Sequence, residues 1–220
     1  MKTLGVIGGM GPAATTAFIG RLQALTPAAG DADHIRIMAD INPQVPDRNS
    51  QPGEAEAELG RMAARLRDMG AEVLAMPCNT AHAQAAGIRE AGIPFIDMIA
   101  ATVATAKASG ATRIGVLATP GGEALYLQAL RASELEAVLM EPQEREAFMA
   151  RIYGVKAGDV SDAARKRMKE LAAALVSRGA RALIAGCTEV PLLLGQGDVS
   201  VPLIDSTDVL AAACVRACTG

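Results

Sequence analysis

The chain repeats itself once, and each copy carries a cysteine at the end of an apolar run. Val73-Leu74-Ala75-Met76 leads into Pro77-Cys78-Asn79-Thr80, and Ala182-Leu183-Ile184-Ala185-Gly186 leads into Cys187-Thr188-Glu189. Other matches follow in the same order. Leu4-Gly5-Val6-Ile7 returns as Ile114-Gly115-Val116-Leu117, and Met62-Ala63-Ala64 as Leu171-Ala172-Ala173. Gly70-Ala71 returns as Gly179-Ala180, and Pro94-Phe95-Ile96-Asp97 as Pro202-Leu203-Ile204-Asp205. A nearly constant offset of about 110 residues argues for two similar halves rather than chance.

Each half alternates short apolar runs with helical patterns. In the first, we expect strands at Leu4–Ile7, His34–Ile41, Val73–Met76 and Ile93–Asp97. Helices are expected over 13–25, 54–69 and from about Ala81 to Glu90. Pro12 suits a first helical turn and Gly70 a helix terminus. Strands alternating with helices imply parallel sheets joined by crossovers. The expectation is therefore an α/β fold of two pseudosymmetric halves. The first half is 1–97, with a final helix from 207–220 packing back on it, and the second is 98–206. The stretch from Met98 to Gly110 reads as a connecting helix. Ligands of open parallel sheets bind beyond the carboxyl ends of strands. Gly8–Pro12, Arg48, Cys78, Thr119 and Cys187 all follow expected strands, and the symmetry would gather them across one cleft.

Composition excludes several classes. With 220 residues, half of them apolar, the chain has ample core. A net charge of −3, 2% aromatics and no Trp give no footprint for nucleic acid. No apolar run approaches the roughly 20 residues of a membrane span. The N-terminus has no long apolar region with a small-residue cleavage site, so a cytoplasmic location is expected. The four cysteines then read as reduced thiols. They lack paired zinc spacing, and two histidines, His34 and His82, are few for a His-based metal site.

A single cysteine is ordinarily a small buried apolar residue. Two at matched strand ends, each before an expected helix start, suggest chemistry, since a helix N-terminus favours thiolate. Cys-x-x-Cys, the signature of a disulfide oxidoreductase, is absent. A cysteine hydrolase needs one nucleophile and a base such as His82, which would leave Cys187 without a role. Two matched acid/base groups suit racemisation: one thiolate removes a proton from carbon, and the opposite thiol protonates the other face. Arg48 and Lys156, read as loop residues, stand at the same offset and could clamp a dicarboxylate. Gly8-Gly9-Met10-Gly11-Pro12 is neither Gly-x-Gly-x-x-Gly nor a P-loop. It reads as a backbone nest for a carboxylate or a structural turn. Asn79, Thr80 and Thr188 read as helix caps or as donors to a substrate carboxylate. Cys214 and Cys218, four apart on one helix face, read as core, and Asp97 and Asp205 as loop or cap residues.

Gly8-Gly9-Met10-Gly11-Pro12-Ala13-Ala14-Thr15, Pro46-Asp47-Arg48, Pro77-Cys78-Asn79-Thr80-Ala81-His82 and Gly186-Cys187-Thr188-Glu189-Val190-Pro191 resemble the aspartate/glutamate racemase family. The resemblance is to its PLP-independent aspartate racemase branch and covers nearly the whole chain. It implies two Rossmann-like (flavodoxin-like) halves with a cleft between them, a homodimer, no cofactor and no metal. It also implies Cys78 and Cys187 as the two bases, Cys187 serving the L-enantiomer and Cys78 the D-enantiomer. Arg48 and Lys156 match basic positions. Met10, Asn79, Thr80 and Thr188 match substrate-contacting positions, and Thr119 is a further candidate. Relatives often have Ala-Thr-x-Gly-Thr where this chain has Ala118-Thr119-Pro120-Gly121-Gly122. Gly122 lacks a hydroxyl that would bear on substrate choice. A small acidic amino acid is the expected substrate. The alternatives are a maleate-type cis–trans isomerase of the same superfamily, using one cysteine covalently, and a non-catalytic dicarboxylate-binding protein.

Overall fold

The structure is a computed structural model, and it describes residues 1–48 and 50–220. The chain divides into two compact units, Met1–Ala101 with Thr207–Gly220, and Thr102–Ser206.

The first unit opens with β1 (Leu4–Gly8), α1 (Pro12–Leu25), β2 (Ile37–Ile41), α2 (Pro52–Asp68) and β3 (Val73–Ala75). It continues through α3 (Ala85–Arg89), β4 (Phe95–Ile96) and α4 (Met98–Ala108), within which the division falls. Its sheet has the order β2-β1-β3-β4, with all pairs parallel. β1 is buried along its whole length, as its continuous apolar run requires of a central parallel strand.

The second unit holds β5 (Arg113–Leu117), α5 (Pro120–Ala132), β6 (Glu136–Val138), α6 (Pro142–Lys156), α7 (Asp162–Ser177), β7 (Ala182–Ala185) and β8 (Leu203–Asp205). Its sheet is β6-β5-β7-β8, again parallel. The last helix, α8 (Ser206–Thr219), adds Leu210, Ala211, Cys214, Val215 and Cys218 to the first unit's core, beside Phe18, Leu22 and Val73.

The repeat is visible in the packing itself. A Cβ on Gly5 would stand 2.8 Å from Leu74 and 2.9 Å from Ala71. A Cβ on Gly115 would stand 2.4 Å from Leu183 and 3.1 Å from Ala180. Both central strands therefore keep a glycine where the neighbouring strand's leucine crosses them. Each sheet also reverses direction of winding beside its first strand, between β1 and β3 and between β5 and β7. At such switch points the strand ends leave a crevice.

Some elements differ from the sequence reading. The second strand starts at Ile37 rather than His34, because a short 3-10 turn at Asp31–Asp33 precedes it. The fourth strand is only Phe95–Ile96, although the Pro94 carbonyl extends the ladder by accepting from Leu74 N–H at 2.8 Å. The helix expected from Ala81 to Glu90 is a 3-10 turn, Thr80–Gln84, followed by the short α3. Gln84 breaks the two apart, at φ −106° and ψ 20°.

Candidate functional site

Cys78 and Cys187 follow β3 and β7, each at its own sheet's switch point. They are 6% and 7% exposed. In the first unit, Met10 leaves β1 next to β3, and its side chain shares an apolar cluster with Cys78 and Val45. Asn79 is 3% exposed and Thr80 is half-buried. Arg48 lies in the turn after β2 and is half-buried; its Nε is buried and has no hydrogen-bond partner among the described residues. The neighbouring Asn49 lies outside the described residues.

The turn after β1 is tied internally. Gly9 N–H donates to Thr15 Oγ1 at 3.0 Å, and that hydroxyl donates to the Gly11 carbonyl at 3.1 Å. Gly9 has φ +101°, and a Cβ there would lie 2.4 Å from the Asn42 backbone. The Gly9 amide therefore serves the turn, which favours the structural alternative for that donor and leaves Met10 as the part of the motif beside Cys78.

His82 has no capacity left for base chemistry. Met98 N–H donates to its Nε2 at 3.0 Å. A backbone amide can only donate, so Nδ1 carries the proton and donates to the Cys78 carbonyl at 2.8 Å. Burial holds the ring's protonation below the ordinary imidazole range. His82 thus fixes the backbone of Cys78 from behind.

In the second unit, Thr119 caps α5 by accepting from Gly122 N–H at 3.3 Å. Gly186 N–H donates to the Leu117 carbonyl at 2.9 Å, which sets Cys187 beside the end of β5. A Cβ on Gly122 would stand 3.4 Å from the Gly186 carbonyl, so the start of α5 and the cysteine turn lie against each other. Thr188 is 7% exposed. Lys156 is exposed and ends α6, and its charge acts on Cys187.

Two corrections follow. Lys156 is not in a loop, as its position between Gly154 and Gly158 had suggested; it belongs to the last turn of a helix. Nor does a helix N-terminus activate Cys187. The turn that follows it is a single 3-10 turn, Val190–Leu192. Burial, together with the charge and hydrogen bond of Glu189, pushes the thiol well above its ordinary range, with Lys156 opposing.

The sequence model of the Asp/Glu/Hydantoin racemase family matches residues 7–214. The chain belongs to this family. It is 27% identical to the broad specificity amino-acid racemase RacX of Bacillus subtilis (strain 168), over 96% of each chain. It is also similar to the Picrophilus torridus aspartate racemase structure, with a TM-score of 0.89 and 29% identity, covering 100% of this chain and 95% of that one. The match to glutamate racemase of Synechococcus sp. (strain CC9605) is 29% identical. It covers 69% of this chain but only 56% of that protein. The racemase is an enzyme of two similar α/β halves, and none of its helices among the described residues is long and apolar enough to cross a membrane.

Glu189 of the racemase carries no role that its sequence alone suggests. It is 5% exposed, and its Oε2 accepts from Cys187 Sγ at 2.9 Å and from Thr188 Oγ1 at 3.3 Å. The sequence signal was the triplet Cys187-Thr188-Glu189 itself, set against Cys78-Asn79-Thr80. A glutamate soon after a cap position reads as an ordinary acidic first-turn residue, and only the fold reveals that it is buried.

Proposed function

We propose that this racemase interconverts L- and D-aspartate, with glutamate as the competing substrate, by a cofactor-independent two-base mechanism. Cys187 removes the α-proton of the L-enantiomer while Cys78 protonates the opposite face, and the roles reverse for the D-enantiomer. Arg48 and Lys156 bind the two carboxylates. Neutralising the α-carboxylate lowers the cost of the carbanion that develops beside it. Met10, Asn79, Thr80, Thr119 and Thr188 line the substrate. The observation that carries this reading is the equivalence of Cys78 and Cys187: each is nearly buried just past the C-terminal end of the matching strand of its own sheet. The aspartate racemase among its structural relatives supports the choice of substrate. A homodimer in the cytoplasm is the proposed working form, and sedimentation of purified protein tests the first part.

Incubation with L-aspartate in D2O should give α-deuterated aspartate of both enantiomers, and more slowly the same with L-glutamate. Absence of exchange with either amino acid would overturn the proposal. Cys78→Ser and Cys187→Ser should each lower racemisation by about 10²-fold or more, the scale of a lost acid/base group. Full activity in both variants would rule out the two-base scheme. A stable adduct with maleate and no α-exchange would instead identify the cis–trans isomerase. Thermal stabilisation by aspartate without turnover would identify a binding protein.

A further inference from the structure

The two strand ends that match in position do not match in chemistry. Two residues beyond Cys78 stands the hydroxyl of Thr80; two beyond Cys187 stands the carboxyl of Glu189. That carboxyl is nearly buried and takes hydrogen bonds from the Cys187 thiol and the Thr188 hydroxyl. Building on the two-base reading, we propose that Glu189 is the positioning residue of Cys187: its buried carboxylate holds a proton on the Cys187 sulfur, so that the enzyme rests with Cys187 as the acid and leaves the base role to Cys78.

The charges around Cys187 support this. Glu189 lies on its own turn and opposes ionisation, as burial does. From α6, the Lys156 ammonium favours ionisation but is exposed to solvent, where its effect is screened. From α5, the Tyr126 phenol is fully buried, hydrogen-bonded to Thr102 and Ser206, and held neutral chiefly by burial. Proton donation from Cys187 to carbon would leave a thiolate and a carboxylate in contact, a like-charge pair in a low-dielectric site. The thiolate so formed is a strong base that recovers a proton readily. The Cys187 step is therefore fast as abstraction and slow as donation.

The test is the pH dependence of iodoacetamide alkylation, read at each cysteine by peptide mass spectrometry. In the wild-type protein the Cys187 rate should still be rising above about pH 9, past the ordinary thiol range. Glu189→Gln keeps a side-chain oxygen to accept from the thiol and removes the charge. It should shift the rise to lower pH and speed Cys187 alkylation about tenfold at pH 8, as loss of one like charge predicts. Glu189→Asp, which keeps the charge, should remain slow. Identical profiles in wild type and Glu189→Gln would overturn the proposal. Glu189 lies in the second unit, so hydrogen-exchange protection of the β5 and β7 amides reports that each variant is folded there. If Glu189→Gln loses that protection, the wild-type profile decides alone, and a plateau below about pH 8.5 overturns the proposal. The readout needs no turnover. Missing α-exchange with a shifted Cys187 profile would therefore overturn the aspartate reading while upholding Glu189 as the partner of Cys187.

Discussion

His82 joins stability to the cysteine turn. Its ring bridges the Cys78 carbonyl and the Met98 amide and lies 5.4 Å from the Phe95 ring. Because burial lowers its folded-state affinity for protons, the unfolded chain takes up the proton first as pH falls. Its contribution to stability is full above about pH 6.5 and declines below it, by at most about 1.4 kcal/mol per pH unit, until the folded ring itself titrates. Urea midpoints should therefore fall between pH 6.5 and 5, and His82→Gln should flatten that slope; an unchanged slope would exclude the coupling. Gly186 supports the other cysteine. A Cβ there would lie 2.6 Å from the Tyr126 ring and 3.1 Å from Ala118. Gly186→Ala should cost about 1–3 kcal/mol in denaturant unfolding, as overpacking does, and should lower activity by displacing Cys187. At this scale the sequence showed both cysteines plainly, since apolar runs and matched spacing survive as letters. It did not show Glu189, because burial of a charged residue is decided by residues remote in the chain.

α6 shows how an element escapes the sequence. Tyr153-Gly154-Val155-Lys156-Ala157-Gly158 reads as a loop when both glycines are taken as breakers. The structure uses them differently. Gly154 lies within the helix, while Gly158, at φ +94°, ends it in the left-handed region. Phe148, Ile152 and Val155 fall on one buried face, and Glu141 with Glu144 forms a capping box around Pro142 at the start. A Cβ on Gly154 meets only the Asp159 side chain, no closer than 3.5 Å. Gly154→Ala should thus raise stability by about 0.5–1 kcal/mol through helix propensity. Gly158→Ala should lower it by about 1 kcal/mol through left-handed strain. Thermal melts of the two variants should move in opposite directions, and two shifts of the same sign would contradict this account. The same logic explains the helix wrongly expected from Ala81 to Glu90. Its composition is helical, but His82 N–H bonds to the Asn79 carbonyl at 3.1 Å and tightens the start into a 3-10 turn.

For the whole molecule, the two units differ in continuity rather than architecture. The second is one uninterrupted stretch of chain, whereas the first is completed only by α8. Removing residues 207–220 should strip protection from the first unit's amides, including those of β1 and β3. Those of β5 and β7 should stay protected in hydrogen exchange. Equal loss in both sheets would show instead that the molecule opens as one cooperative body. The alternation of strands and helices, and the repeat, were legible because parallel sheets need buried apolar strands at regular intervals. Residues 207–220 read as a helix packing back on the first half, and α8 contributes Leu210, Cys214 and Cys218 to the first unit's core.

The return of α8 also sets an order of events at the ribosome. Phe18 and Leu22 emerge early, yet the helix that covers them is translated only after the whole second unit. Lys2 N–H donates to the Cys218 carbonyl at 2.8 Å and ties α8 to the residues that precede β1. A nascent first half therefore waits with an open apolar trough while its sister domain finishes. A stop codon before Thr207 would release that trough permanently, as a substrate for chaperones and proteases.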